Sequence, residues 1–313
     1  MTNTKTLKSV RAVYGQTLLE LGKTNRNIVV LDADLSCSTQ TQTFAKEFPE
    51  RFFNIGIAEQ DAMTTAAGLS TVGKIPFVST FAIFASGRAW EQIRNAICYP
   101  RFNVKVVATH GGITVGEDGA SHQALEDIAL MRAIPNMMVI VPADAIQTKQ
   151  VIEFAATYTG PMYIRISRAS LPDVYSDDYT FNPFKAIVVK EGTDVSLFTN
   201  GETLIETIEC AKILESKGIS VEIIDIPVVK PLDSETLVKS ASKTKKVVTI
   251  ENHSIIGGLG GAVCEVLSET APTKTLRIGL NDQFGQSGDA RELLEYYGLT
   301  AEKLAEKIIG FVK

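Results

Sequence analysis

Short apolar runs of strand character alternate with longer amphipathic stretches along almost the whole of this 313-residue chain. That alternation restricts the fold more than any other feature. Runs that are apolar throughout suit strands buried on both faces, and parallel neighbours need helical crossovers between them. The first set predicts strands over 28–31, 52–55, 77–79, 104–108, 138–141 and 163–166, with helices between them. Ser170 to Lys185 then gathers Pro172, Asp173, Ser176, Asp177, Asp178, Asn182 and Pro183 with no clear period, which predicts a linker. Alternation resumes with strands over 195–198, 221–224, 247–250 and 275–278, and helical segments near 203–216, 234–241 and 262–270. The expected architecture is α/β, a parallel sheet with helices on both faces over 1–170, a linker over 171–185 and a smaller α/β domain over 186–313.

The length suits two domains that each bury a core. A content of 45% hydrophobic and 21% charged residues belongs to a globular chain. The net charge of −5, with no long basic run, argues against nucleic acid as a partner. Met1-Thr2-Asn3-Thr4-Lys5 holds no apolar signal core, and no apolar run reaches the length of a membrane span, so a cytoplasmic protein without a membrane partner is expected. Cys37, Cys98, Cys210 and Cys264 are scattered without Cys-x-x-Cys spacing, which predicts neither a disulfide framework nor a zinc site. Gly257-Gly258-Leu259-Gly260-Gly261 is similar to a dinucleotide fingerprint, but Val263 stands where its last glycine belongs. A tight strand-to-helix turn is expected there instead.

Three groups of residues carry candidate chemistry. In Asn54-Ile55-Gly56-Ile57-Ala58-Glu59-Gln60, one carboxylate stands among small and apolar neighbours where a helix begins, a position that also complements the helix dipole without any chemistry. Phe81 and Phe84 follow a strand one turn apart, a spacing that suits core packing or an aromatic platform. The segment from His110 to Gln123 places His110, Glu117, Asp118, His122 and four glycines in one loop, too polar for core and too long for a simple turn. Arg168 at a strand end, Ser38 near a helix start and Arg11 at the opening of a helix are candidate anion ligands.

Ile57-Ala58-Glu59-Gln60 before an Ala-rich helix, Ser79-Thr80-Phe81 leading to Phe84, and the Gly116 to Gln123 loop resemble the transketolase family. The resemblance covers the pyrimidine-binding and C-terminal domains and implies thiamine diphosphate as cofactor. It implies that Glu59 hydrogen-bonds a ring nitrogen of the aminopyrimidine and favours its imino tautomer, which then takes the thiazolium proton. An apolar setting for Glu59 would suit this role by raising its carboxyl pKa. Phe81 and Phe84 would line the pyrimidine pocket, although Gly87 stands where the family often has a further aromatic. His122 would contact the sugar carbonyl or hydroxyl oxygen and help proton transfer. Asp118 would read the next hydroxyl, and His110 would lie near the substrate path. Arg11, Ser38 and Arg168 would bind the terminal phosphate.

The family's magnesium motif, GDG followed by a distant Asn, is missing, because Glu117 precedes Asp118. No metal ligands are therefore expected on this chain. The resemblance implies the C-terminal subunit of a split transketolase, with Mg2+ and diphosphate ligands on an N-terminal partner subunit, in an α2β2 assembly acting on sugar phosphates of the pentose phosphate pathway. The β subunit of a 2-oxoacid dehydrogenase E1 component, deoxyxylulose-phosphate synthase, a split transketolase for a branched or sulfonated ketose, and a non-catalytic partner are the alternatives that share parts of this pattern.

Overall fold

The computed structural model describes residues 7–313, so the reading of Met1 to Lys5 lies outside the described residues. Its strands are β1 (Leu7–Ser9), β2 (Ile28–Asp32), β3 (Phe52–Asn54), β4 (Ile75–Phe81), β5 (Lys105–Thr109), β6 (Met138–Ile140) and β7 (Met162–Ile166). They continue with β8 (Ser170–Pro172), β9 (Ile187–Lys190), β10 (Val195–Thr199), β11 (Val221–Asp225), β12 (Val228–Lys230), β13 (Lys246–Ser254) and β14 (Lys274–Leu280). A seven-stranded sheet has the order β12-β6-β7-β5-β4-β2-β3, and a five-stranded sheet the order β14-β13-β10-β11-β9. Both are parallel except for one edge strand each: β12 runs antiparallel to β6, and β9 antiparallel to β11.

Both faces of the larger sheet are covered. Val29 and Leu31 of β2 pack with Ala62, Met63, Ala66 and Ala67 of helix Glu59–Thr71 on one face. Ile28 and Val30, the alternate residues, pack with Val10, Tyr14 and Leu18 of helix Val10–Thr24 and with Val151 and Ile152 of helix Ala145–Thr157 on the other. Side chains alternate across a strand, so a strand covered on both sides must be apolar at every position, as β2 nearly is. Two of these helices are held at their starts by side chains: Ser9 Oγ accepts from Ala12 N, and Asp144 Oδ1 accepts from Gln147 N at 2.8 Å.

Three features depart from the sequence expectations. β12 lies beyond the linker in the chain, yet it completes the first sheet beside β6, so the two halves share a sheet edge. The polar stretch is tied down rather than free. It opens with β8, which pairs with β1, and Asp144 Oδ2 accepts from Val174 N and Tyr175 N at 2.8 Å each. The hydroxyl of Tyr175 and the amide of Gln147 both donate to Asp225 Oδ2, joining linker, first sheet layer and second sheet. Short edge strands β1, β8, β9 and β12 and the helices Ala290–Tyr296 and Ala301–Val312 were not foreseen.

The glycine-rich turn behaves as expected. The amides of Leu259 and Gly260 donate to the buried Glu251 carboxylate at 2.6 and 2.8 Å, which already fills the place an anionic ligand would need. Among the described residues no helix is long and apolar enough to cross a membrane.

Candidate active site

The loops that follow the carboxyl ends of β2, β3, β4, β5 and β7 carry Ser38, Glu59, Phe84, His110 with His122, and Arg168 respectively. Open parallel sheets present their loops there, and ligands bind in the crevice they form. Positions far apart in the chain thus share one edge of one sheet.

Glu59 is the first residue of helix Glu59–Thr71, and its side chain is only 1% exposed. Its setting differs from the expected apolar one. Arg88 Nη1 donates to both carboxylate oxygens, at 2.9 and 2.8 Å. Arg88 ends a five-residue π-helical turn, Phe84–Arg88, and its Cζ lies 4.6 Å from the centroid of the Phe84 ring. Phe81 and Phe84 stack with centroids 5.8 Å apart and planes 12° apart. The two rings are therefore offset-stacked, and Arg88 joins Phe84 to the Glu59 carboxylate.

His110 extends that stack, lying against a face of Phe81 with ring centroids 3.8 Å apart. The residue is buried, adopts φ 62°, and its Nδ1 shares a 2.8 Å hydrogen bond with Thr109 Oγ1. A positive φ at a residue other than glycine costs energy and concentrates at functional positions. Burial, helped by Arg11, Arg168 and His122, lowers its pKa to about 3, so the imidazole is neutral at physiological pH. His122 meets Phe84 and Phe81 edge-on, with centroids 5.4 and 6.1 Å away, and its Nδ1 bonds Ser121 Oγ at 3.0 Å. Asp118 is exposed at the end of the 3-10 turn Ile113–Asp118. Among the described residues its side chain forms no hydrogen bond or ion pair within the chain.

The loop bearing these histidines is clamped by the second half of the chain. Asn252 Oδ1 accepts from Ile113 N at 3.0 Å, Glu202 Oε1 accepts from Thr114 Oγ1 at 2.6 Å, and Gln123 Nε2 donates to Gln286 O at 2.9 Å. A Cβ on Gly112, which sits at φ 83°, would lie 2.3 Å from Asn252 Nδ2. Only glycine fits both that backbone and that contact.

Arg168 lies close enough to Arg11 to disfavour its charged form. Burial first, and then Arg168, depresses the pKa of Arg11. Among the described residues neither forms an ion pair. Arg11 Nη1 donates to Ser38 O and Arg168 Nη1 to Val115 O, both at 2.7 Å, while Arg11 Nε is buried without a partner. Two guanidiniums without an ion-pair partner among the described residues thus lie near the neutral His110, a setting whose chemistry suits an anion. Ser38 needs one correction. It lies inside the short helix Ser36–Thr39, and its amide already donates to Leu35 O, so only its hydroxyl is free to meet a ligand.

Arg88 was absent from the sequence reading, as was Asp32. The latter is buried and accepts from Leu35 N, Thr39 Oγ1 and Thr41 Oγ1 at 2.6, 2.7 and 2.9 Å, fixing the loop of Ser38. An acidic residue closing an apolar strand was the available signal for Asp32. Among the described residues no group of three or more His, Cys, Asp or Glu is placed to hold a metal ion.

Comparison with known proteins identifies both domains. Residues 7–174 match the transketolase pyrimidine-binding domain, and residues 184–304 the transketolase C-terminal domain. A protein of Methanocaldococcus jannaschii described as a transketolase C-terminal section is 55% identical over 98% of this chain and 97% of its own length. An apulose-4-phosphate transketolase subunit of Phocaeicola vulgatus is 38% identical over 97% of each chain. Among solved structures, a split-gene transketolase described as an inactive β4 tetramer superposes with a TM-score of 0.89, at 56% identity over 96% of both chains. A pyrimidine-binding domain and a C-terminal domain in this order, matched across nearly the whole chain, make it a member of the transketolase family.

Proposed function

We propose that this chain is the C-terminal subunit of a two-chain, thiamine diphosphate-dependent transketolase that moves a two-carbon ketol unit from a ketose phosphate to an aldose phosphate. The observation that carries the reading is continuity: the buried Glu59 carboxylate, the Phe84, Phe81 and His110 rings, and the unpaired Arg11 and Arg168 form one unbroken run. The residues fit the pyrimidine half of the cofactor, offering stacked aromatic rings joined through Arg88 to a buried carboxylate. When bound, thiamine diphosphate supplies a nucleophilic carbon for the ketose carbonyl.

The rest falls to side chains of this chain. Glu59 holds a proton at the pyrimidine ring nitrogen, and Phe81 and Phe84 set the ring's plane. His122 moves a proton at the donor's carbonyl oxygen, and Asp118 accepts from the neighbouring hydroxyl. His110, neutral, bonds a sugar oxygen without adding charge. Arg11, Arg168 and the Ser38 hydroxyl hold the terminal phosphate, and the guanidinium fork suits that group. The diphosphate and Mg2+ ligands belong to an N-terminal partner subunit, two copies of each chain forming the cytoplasmic enzyme. Relatives named as a C-terminal section and as one subunit of a transketolase support that division.

A second reading, an unusual ketose such as a branched one, is favoured by the relative named for apulose 4-phosphate and by Gly87, where nothing lies within 4 Å of an added Cβ. Ketol transfer from xylulose 5-phosphate to ribose 5-phosphate tests the first reading, using this chain alone and mixed with a diphosphate-binding partner. Activity in the mixture that Glu59→Gln abolishes supports it. Full activity in the Glu59→Gln enzyme refutes the role of Glu59, and turnover of only a branched ketose phosphate selects the second reading.

A further inference from the structure

We infer that Arg88 is a built-in occupant of the pyrimidine site, holding Glu59 and covering Phe84 in the empty subunit and swinging out when the cofactor's ring enters. The inference rests on the thiamine diphosphate reading above. A guanidinium is planar, donates N–H bonds from its edge and stacks on aromatic faces. Those are the two ways an aminopyrimidine would meet the same residues. Arg88 meets both at once, through two bonds to Glu59 at 2.9 and 2.8 Å and a Cζ 4.6 Å from the Phe84 centroid.

The local chain is built for such an exchange. The Arg88 backbone is anchored, because its carbonyl accepts from Gln60 Nε2 at 3.2 Å. The side chain is 47% exposed and among the described residues bonds only Glu59. Gly87 beside it faces open space, which leaves room for the side chain to turn away. The π-helical turn Phe84–Arg88 carries both the ring and the arginine that covers it, and such turns recur at functional sites. A buried carboxylate left alone is costly, so the exchange keeps Glu59 partnered in both states.

A competitor already in the site reduces apparent affinity by the fraction of open molecules. Removing it also leaves Glu59 unpaired in the empty state, which favours cofactor binding further. The test is calorimetric titration of thiamine diphosphate, with Mg2+ in excess, into the assembled two-subunit complex. Binding to the wild-type complex is required by the proposed function, and its absence refutes that reading independently of Arg88. In Arg88→Ala the dissociation constant is expected to fall about tenfold. An unchanged or higher constant overturns the inference, a higher one making Arg88 a residue that holds the cofactor.

Should Arg88→Ala fail to assemble, Arg88→Lys keeps the charge without the planar fork. It is expected to tighten binding by a smaller factor, and no change again overturns the inference. A cofactor-free readout completes the test. Arg88→Ala lowers the melting temperature of the isolated chain in the wild-type background but not in Glu59→Gln. Equal losses in both backgrounds would show that Arg88 acts elsewhere.

Discussion

Replacing His110 with Asn tests the site's electrostatics through folding alone. In the folded chain His110 is buried against Phe81, with a pKa of about 3, while in the unfolded chain it titrates near 6.5. The folded form therefore binds fewer protons, and its contribution to stability is present above pH 6.5 and lost as pH falls from 6.5 towards 3. Between pH 7.5 and 5 the unfolded histidine gains almost 1.5 pH units of protonation that the folded one does not. At 1.36 kcal/mol per unit this removes about 2 kcal/mol from the wild type. Asn tolerates the positive φ of 62° and carries no titrating proton.

Trp90 is the only tryptophan and lies in the first half of the chain, its indole donating to Leu130 O at 3.0 Å, so urea unfolding followed by its fluorescence reports on the region around His110. With a slope of about 2 kcal/mol per molar urea, the midpoint gap between wild type and His110→Asn should shift by about 1 M from pH 7.5 to pH 5, to the disadvantage of the wild type. Other groups cancel in that difference. Parallel midpoints at the two pH values would refute the argument that His110 is held neutral by burial and by the arginines.

Asp225 should behave with the opposite sign. Burial raises its pKa to about 7, so its contribution is lost as pH rises through 7, and Asp225→Asn should erase roughly 2.5 kcal/mol of stabilisation that the wild type gains between pH 7.5 and 5, read by circular dichroism in urea. Gly15→Ala would set a Cβ 2.3 Å from the backbone oxygen of Gln40, and a cost of about 2 kcal/mol, seen as a melting temperature several degrees lower, is expected. Arg11→Ala or Arg168→Ala should raise KM for a phosphorylated ketose by about tenfold to a hundredfold and barely affect an unphosphorylated one, in a steady-state assay of the assembled enzyme. Equal losses for both substrates would remove the phosphate assignment.

Much of this was legible in the chain. Largely apolar strands such as β2 and β5 announced a sheet covered on both faces, and the polar, glycine-rich loop after β5 announced a site, because that loop could not be packed as core. Burial on both faces leaves a strand no choice of residue type, so the pattern survives in any context. The three-residue strands β1 and β12 left no such mark, since their pairing depends on which edge happens to lie nearby. Glu59 was visible as an isolated carboxylate, but Arg88, 29 positions away, was not, because one turn of π-helix decides where its guanidinium falls.

The sequence by itself determined the class of fold, the order of its two α/β halves and the residue types gathered for the chemistry. Those are consequences of local pattern and composition, which need no knowledge of distant neighbours. Tertiary structure alone decided that β12 returns to the first sheet, that Asn252 and Glu202 brace the histidine loop, and that Arg168 lies close enough to Arg11 to disfavour its charge, neither forming an ion pair among the described residues. Each of those depends on contacts between positions many tens of residues apart, fixed only when strand ends converge along one edge of the sheet.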